Sequence, residues 1–279
     1  ITNLSLSSFL PSTLREGAII VMYWLVYLGF SVAGILLIVR SFMKGAIWRG
    51  KQSALGKTII VTGANSGIGR ALTEEFVMRG ADHVVLACRS RERAERAREE
   101  MVESGADDTR ISIELIDLMS FKSIISFVDR VMAKFRTIDV LVCNAGVLQA
   151  NGTTENGLEK LLQANYLGHF LLVESLKARV NLNRVVFVSS LAHKYASHFD
   201  LMDKLDNSML QYNRAKLAEV SYAKHLAADG MQAYSCNPGV VHTNILAGTW
   251  MEIFDQYLEP ILAFIMKSPL EGAQTPLML

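Results

Sequence analysis

The turn between the first apolar run and the helix that follows it constrains this chain most. Thr58, Ile59, Ile60, Val61 and Thr62 read as a short buried strand, and Gly63-Ala64-Asn65-Ser66-Gly67-Ile68-Gly69 leads at once into a helical pattern. Glycines at such a turn permit φ > 0 and close backbone approach. The helix start offers unpaired N–H groups and a positive dipole end to a pyrophosphate. A glycine pattern alone is weak evidence, because ordinary strand-to-helix turns carry glycine too. Its context decides what it means.

Downstream, brief apolar runs alternate with longer stretches of helical periodicity. Strands are expected at residues 58–62, 83–88, 111–115, 140–144, 184–189 and 232–237, and helices near 67–79, 91–104, 121–135, 158–177 and 212–229. The strand runs lack strict polar alternation, which suits a parallel sheet covered on both faces. The fold class is therefore α/β, a doubly wound parallel sheet of the Rossmann type.

The apolar content of 51% is high for a soluble chain, and the excess is local. Residues 18–39 form 22 positions without a charge, enough at roughly 1.5 Å per residue to span a hydrocarbon core of about 30 Å. The run is longer than a signal-peptide core and has no clear cleavage site, so it reads as a transmembrane helix. Arg40, Lys44, Arg49 and Lys51 follow it, while Arg15 beside Glu16 precedes it. That bias places the body on the cytosolic side and the N-terminal tail in the lumen. The expected organisation is a tail at 1–17, the anchor at 18–39, a basic linker at 40–55 and one domain at 56–279. Asn3-Leu4-Ser5 is a glycosylation sequon, of use as a topology probe.

A net charge of +1 excludes the broad basic face that nucleic-acid binding needs. Cys88, Cys143 and Cys236 have neither metal-ligand nor redox-pair spacing and read as reduced core residues. His193, His198, His225 and His242 share no helical face with carboxylates and read as loop or surface residues, so no metal is expected. The charged run from Arg89 to Glu100 mixes both signs at helical spacing, as a solvated helix face does.

The spacing Thr62-Gly63-x-x-x-Gly67-x-Gly69 differs from the common dinucleotide fingerprint and resembles that of the short-chain dehydrogenase/reductase family. Asp117-Leu118, Asn144-Ala145-Gly146, Asn165, Ser190, Tyr212-x-x-x-Lys216 and Pro238-Gly239-x-x-x-Thr243 follow in the order that family uses. The resemblance runs from about Gly56 to the C-terminus. It implies a nicotinamide cofactor held by Gly63, Ser66, Gly67, Ile68, Gly69, Arg89, Asp117, Leu118, Asn144, Ala145, Gly146, Tyr212, Lys216, Pro238, Gly239 and Thr243. NAD-binding sites usually place an acidic residue about twenty positions after the glycine loop, whereas arginine there accepts the 2′-phosphate of NADP. This chain has Arg89 at that place, with Arg70 as a possible second positive charge, so NADP(H) is favoured.

The resemblance also implies a catalytic set of Asn165, Ser190, Tyr212 and Lys216. A phenol titrates near 10 and is mostly protonated at neutral pH. Lys216, one helical turn after Tyr212, would favour the phenolate and make Tyr212 a usable acid and base. Ser190 closes the 184–189 strand, where ligands of such sheets gather; it is chosen over Ser189 from the family pattern. Asn165 corresponds to the family's proton-relay asparagine, although an amide in an apolar helix can also be a satisfied core group.

Ser190 and Tyr212 are separated by a long insertion carrying Leu191 to Tyr195 and His198 to Leu201. With Asn165 to Phe170 and the Cys88-Arg89 strand end, this is similar to microsomal retinol dehydrogenases. The similarity implies a lipophilic alcohol, aldehyde or ketone such as a retinoid, steroid or lipid carbonyl. Trp250, Ile253, Phe254, Tyr257, Leu258, Ile261, Leu262 and Phe264 form an apolar stretch where the family builds its substrate cover. A membrane-facing lid and a core helix fit that pattern equally.

Cys143 replaces the first Asn of the family's usual Asn-Asn-Ala-Gly run, and Ala215 stands where relatives often have Ser. The chain opens on Ile1 and stops at Leu279, before the last strand and helix that the family normally adds, as a fragment would; were Leu279 the native end, one sheet edge would be unpaired. The expected function is an NADP(H)-dependent oxidoreductase on a lipophilic substrate, single-pass in the endoplasmic reticulum membrane and facing the cytosol. The alternative is a membrane-bound nucleotide-binding scaffold without turnover.

Overall fold

The structure, a computed structural model, describes residues 12–45, 48, 50, 53–196, 208–243, 245 and 251–279. Two compact units are present, residues 1–45 and 46–279. In the first, α1 (Ser12–Lys44) carries the uncharged run. Residues 19–44 of it are long and apolar enough to cross a membrane, with Trp24, Phe30 and Ile38 72, 74 and 71% exposed. The helix runs through Arg40 and Lys44, past the expected anchor boundary.

In the second unit the order is β1 (Thr58–Thr62), α2 (Gly67–Met78), β2 (His83–Cys88), α3 (Arg91–Glu103), β3 (Ile111–Leu115), α4 (Phe121–Lys134), β4 (Thr137–Ile138) and β5 (Val140–Cys143). Then come α5 (Lys160–Leu162), a π-helical turn (Gln163–Leu167), α6 (Gly168–Lys177), β6 (Asn181–Leu182) and β7 (Arg184–Val188). The described chain closes with α7 (Ser208–Ala228), β8 (Gln232–Cys236), α8 (Met251–Ile265) and α9 (Pro269–Leu277). The six-stranded sheet has the order β3-β2-β1-β5-β7-β8, all parallel, and β4 pairs with β6 in a small second sheet.

Period-two alternation within apolar strands builds both cores. Ile60, Val85, Leu141, Val185 and Phe187 face α4, α6 and α7 around Phe127 and Leu172, whereas Ile59, Val84, Leu86, Val142 and Val186 face α2, α3 and α9 around Leu72 and Met101. Fully buried side chains such as Phe127 and Phe187 each contribute roughly 1.5–3 kcal/mol. The order runs outward in opposite directions from β1 and β5. Their C-terminal ends therefore flank the crevice where an open α/β sheet binds ligand.

Three expectations change. The helix expected over residues 158–177 is broken at Asn165, where Gly168 N–H reaches back to Gln163 O and forms a π turn. Of the segment expected to be a linker, residues 40–44 continue α1, while Trp48 and Ala54 pack within the second unit. Trp48 lies under the Arg79 guanidinium, its backbone N–H donates to Gln274 Oε1, and Ala54 is buried. The apolar stretch near the C-terminus is helical from Met251, and among its described side chains Tyr257, Leu258, Ile261 and Phe264 are exposed, which favours the cover over the core helix. Trp250, His198 and most of the insertion before α7 lie outside the described residues.

Candidate active site

A cleft of about 720 Å³ opens at the ends of β1 and β5. Its floor is set by Thr62, whose hydroxyl oxygen accepts N–H bonds from Asn144 (2.9 Å) and Ala145 (3.0 Å), while Asn144 Nδ2 donates to Thr62 O (2.9 Å). These bonds tie the glycine loop to the loop after β5. Gly67 has φ +54°, and a Cβ there would stand 2.9 Å from Thr243 Cγ2. At Gly69 a Cβ would lie 2.4 Å from Gly63 O, so α2 starts as close to the loop as a backbone can.

The helices around this loop differ in their caps. Ser90 and Ser120 cap α3 and α4 by accepting N–H bonds, but Ser66 makes no side-chain cap on α2. Its first-turn N–H groups remain for an anion at the cleft, and the glycines keep the space clear. The cradle fits the pyrophosphate of a nicotinamide dinucleotide.

Of the expected cofactor positions, Gly63, Ser66, Gly67, Ile68, Arg89, Asp117, Leu118, Asn144, Ala145, Gly146, Tyr212, Lys216, Pro238, Gly239 and Thr243 line this cleft. Gly69 lies beneath it. Asp117 also orders its own loop, with Oδ1 accepting the Met119 N–H at 2.9 Å. Arg89 is exposed at the rim, where Arg93 and Arg96 join it from α3. That part of the charged run faces the cleft as well as solvent. Arg70 pairs with Glu100 instead, so the second positive charge comes from α3. The spacing of residues 93 and 96 after the strand end was a usable signal for this.

Ser190, Tyr212 and Lys216 line the same cleft. The Tyr212 ring packs with Leu161, Leu162 and Ala215, and Lys216 Nζ lies 5.7 Å from the ring centroid. Ser190 Oγ accepts the Ala192 N–H at 3.2 Å, and its own hydrogen remains for a ligand. Ser189 is turned inward and donates to Lys216 O (3.0 Å), a structural task that separates the two serines.

Asn165 does not line the cleft. Its Oδ1 accepts the Val147 N–H (2.8 Å) and its Nδ2 donates to Val147 O (2.9 Å), so its side chain is a satisfied buried amide holding the cleft wall. Two groups that sequence reasoning passed over stand behind the site. His169 is fully buried, with Nε2 2.9 Å from Thr62 Oγ1 and Nδ1 3.2 Å from Asn165 O; burial pulls it down to about 4 and keeps it neutral. Glu219 pairs with Lys216. Cys88, Cys143 and Cys236 are free and buried, and no metal-binding cluster occurs among the described residues.

Residues 57–252 match the profile of the short chain dehydrogenases. Mouse retinol dehydrogenase 13 is 35% identical over 261 residues, covering 88% of this chain and 77% of its own. Bovine dehydrogenase/reductase SDR family member 13 is 34% identical over 261 residues, covering 89% and 68%. A solved structure of an uncharacterized Mycobacterium paratuberculosis protein superposes with a TM-score of 0.63 at 29% identity, covering 83% of this chain and 80% of that one. With the parallel sheet, the glycine cradle and the Ser190, Tyr212 and Lys216 cluster on one cleft, the chain belongs to the short chain dehydrogenase family, whose members are oxidoreductases on nicotinamide cofactors.

Proposed function

We propose that this chain is an NADP(H)-dependent enzyme that interconverts a lipophilic alcohol with its aldehyde or ketone at a membrane. The observation that carries this reading is the convergence of Tyr212, Lys216 and Ser190 beside a cradle rimmed by Arg89 and Arg93. When bound there, the cofactor supplies hydride transfer at its nicotinamide ring. The protein must handle the proton.

In oxidation the substrate O–H proton passes to the Tyr212 phenolate as the carbinol C–H leaves with its electron pair; reduction reverses both transfers. Lys216 favours the phenolate by its charge. Ser190 donates its hydroxyl hydrogen to the reacting oxygen, and Asn165 acts indirectly by fixing Val147. The rim arginines suit a 2′-phosphate, which accepts charge-assisted bonds from guanidinium groups.

A lipophilic substrate is supported by the names of the retinol dehydrogenase relatives and by the exposed apolar face of α8. The apolar α1, followed by basic residues, supports a single-pass anchor with the catalytic unit in the cytosol, at the endoplasmic reticulum. The test uses the full chain in detergent with retinaldehyde and a panel of lipid carbonyls. NADPH should be consumed, and Tyr212→Phe should abolish this. Cofactor binding without turnover across the panel would instead establish a nucleotide-binding scaffold.

A further inference from the structure

The catalytic-site lysine is not alone in its pocket. Lys216 is 3% exposed and Glu219, one turn along α7, is 0% exposed; Nζ donates to Glu219 Oε1 and to Val188 O, each at 3.0 Å. An ammonium has three donors. Two are held on the protein side, which leaves one for the cleft, where a Cβ on Gly146 would stand 3.8 Å from Nζ. Glu219 Oε2 is buried and accepts no bond from any described group. Among the described residues its ion-pair partner is Lys216.

Other titratable groups packed around this pair carry no charge near neutral pH. On β8 burial pushes the Cys236 thiol up to about 12; on β5 burial raises Cys143 well above its ordinary value; on α6 His169 stays neutral. Tyr212 faces the pair from its own helix. Burial draws Lys216 down, but the Glu219 carboxylate together with Tyr212 and Cys143 outweighs it and the net direction is up, so the lysine stays an ammonium. For Glu219, burial raises it while the Lys216 charge and hydrogen bonding from Lys216 and Ser189 lower it, which leaves it at about 7.

We propose that Glu219 is a positioning residue for Lys216, holding its ammonium in register and offsetting its charge at the Tyr212 hydroxyl, so that the charge state of Glu219 sets the pH range of proton transfer. The inference rests on the acid–base roles given to Tyr212 and Lys216 above. With Glu219 ionised, the pair is neutral overall and favours the phenolate weakly. Once Glu219 takes a proton, the lysine charge acts unopposed. Above about pH 7 the ionised carboxyl thus holds the phenolate fraction below what the lysine alone would give, and below that pH it no longer does.

The experiment measures kcat against pH for alcohol oxidation by the full chain in detergent, in wild type, Glu219→Gln and Tyr212→Phe. Glutamine keeps an oxygen acceptor for Nζ but removes the charge. Below about pH 7, where Glu219 is already protonated, variant and wild type should run alike; above it the variant should be up to roughly tenfold faster. A purely structural role would scale kcat or KM by the same factor at all pH values, and that result overturns the proposal. If the glutamine variant does not fold, infrared difference spectra of the wild type decide. A buried carboxylic-acid C=O band that appears as pH falls through about 7 supports the assignment, and its absence refutes it. Lack of any Tyr212-dependent turnover overturns both readings; Tyr212-dependent turnover with a pH-independent ratio of variant to wild type overturns this one alone.

Discussion

Adding one methyl group at Gly69 tests whether the cradle is built by close backbone packing. An alanine Cβ there would lie 2.4 Å from Gly63 O and 2.5 Å from Asn144 Nδ2, whereas unstrained contacts to carbon need about 3.5 Å. Neither neighbour is the free end of a flexible chain. One is backbone, and the other is held by its bond to Thr62 O. Helix α2 must therefore move by about 1 Å, with an overpacking penalty of roughly 1–3 kcal/mol. Loss of the Asn144 bond adds about 1 kcal/mol, and the better helix propensity of alanine returns up to about 1 kcal/mol. The net is about 1–3 kcal/mol. For a unit of this size each kcal/mol lowers Tm by roughly 2–4 °C, so a fall of about 2–12 °C is expected by calorimetry of the full chain in detergent. Displacing the α2 N–H groups should also weaken NADPH binding at least tenfold in a fluorescence titration, about one charge-assisted bond. Gly152→Ala is the control, with φ +87° and nothing within 4 Å of its Cβ. It should lose about 1–2 kcal/mol from strain and bind NADPH normally. Wild-type Tm and affinity in Gly69→Ala would refute the packing argument.

The rim arginines are separable: Arg89→Ala or Arg93→Ala should each lower the NADPH-over-NADH preference in kcat/KM by at least about tenfold, and Arg89→Asp by more. Arg70→Ala, removed from Glu100, should leave that ratio unchanged; an unmoved ratio in all the rim variants would sink the 2′-phosphate assignment. His169 and Glu219 oppose each other in pH dependence. His169 at about 4 lies below its ordinary 6.5, so its stability is present above 6.5 and lost as pH falls toward 4; Glu219 at about 7 lies above its ordinary 4.5, so its stability is present below 4.5 and lost as pH rises through 7. Between 4.5 and 6.5 the two slopes cancel. In Glu219→Gln the His169 slope of about 1.4 kcal/mol per pH unit should emerge against wild type in urea unfolding, and parallel curves would count against it. Asn165→Ala removes both bonds to the half-buried Val147 N–H and C=O in the cleft wall and should lower stability by about 1–3 kcal/mol in the same assay. An unfolding midpoint equal to wild type would show that water or another group replaces the amide.

The local chemistry of this chain was written in its order of residues. Strand cores at β1, β2 and β3 were readable to the residue because buried parallel strands are short apolar runs between breakers, and the glycine turn declared itself by what preceded and followed it. Tyr212 and Lys216 were readable because four residues on a helix is one face. What periodicity could not supply was any contact made across the sheet. The break at Asn165 depends on Val147 and His169, which no helical pattern contains. Arg70 and Arg93 were indistinguishable as charges until packing set one against Glu100 and the other on the rim. Glu219 looked like any helix carboxylate, since spacing records a face but not its burial, and burial is what turns a surface ion pair into a control on the catalytic proton. The glycine loop began as a turn with room for a phosphate. Only the parallel pairing of β1 with β5 at the centre of the sheet decided that it would share a cleft with Tyr212.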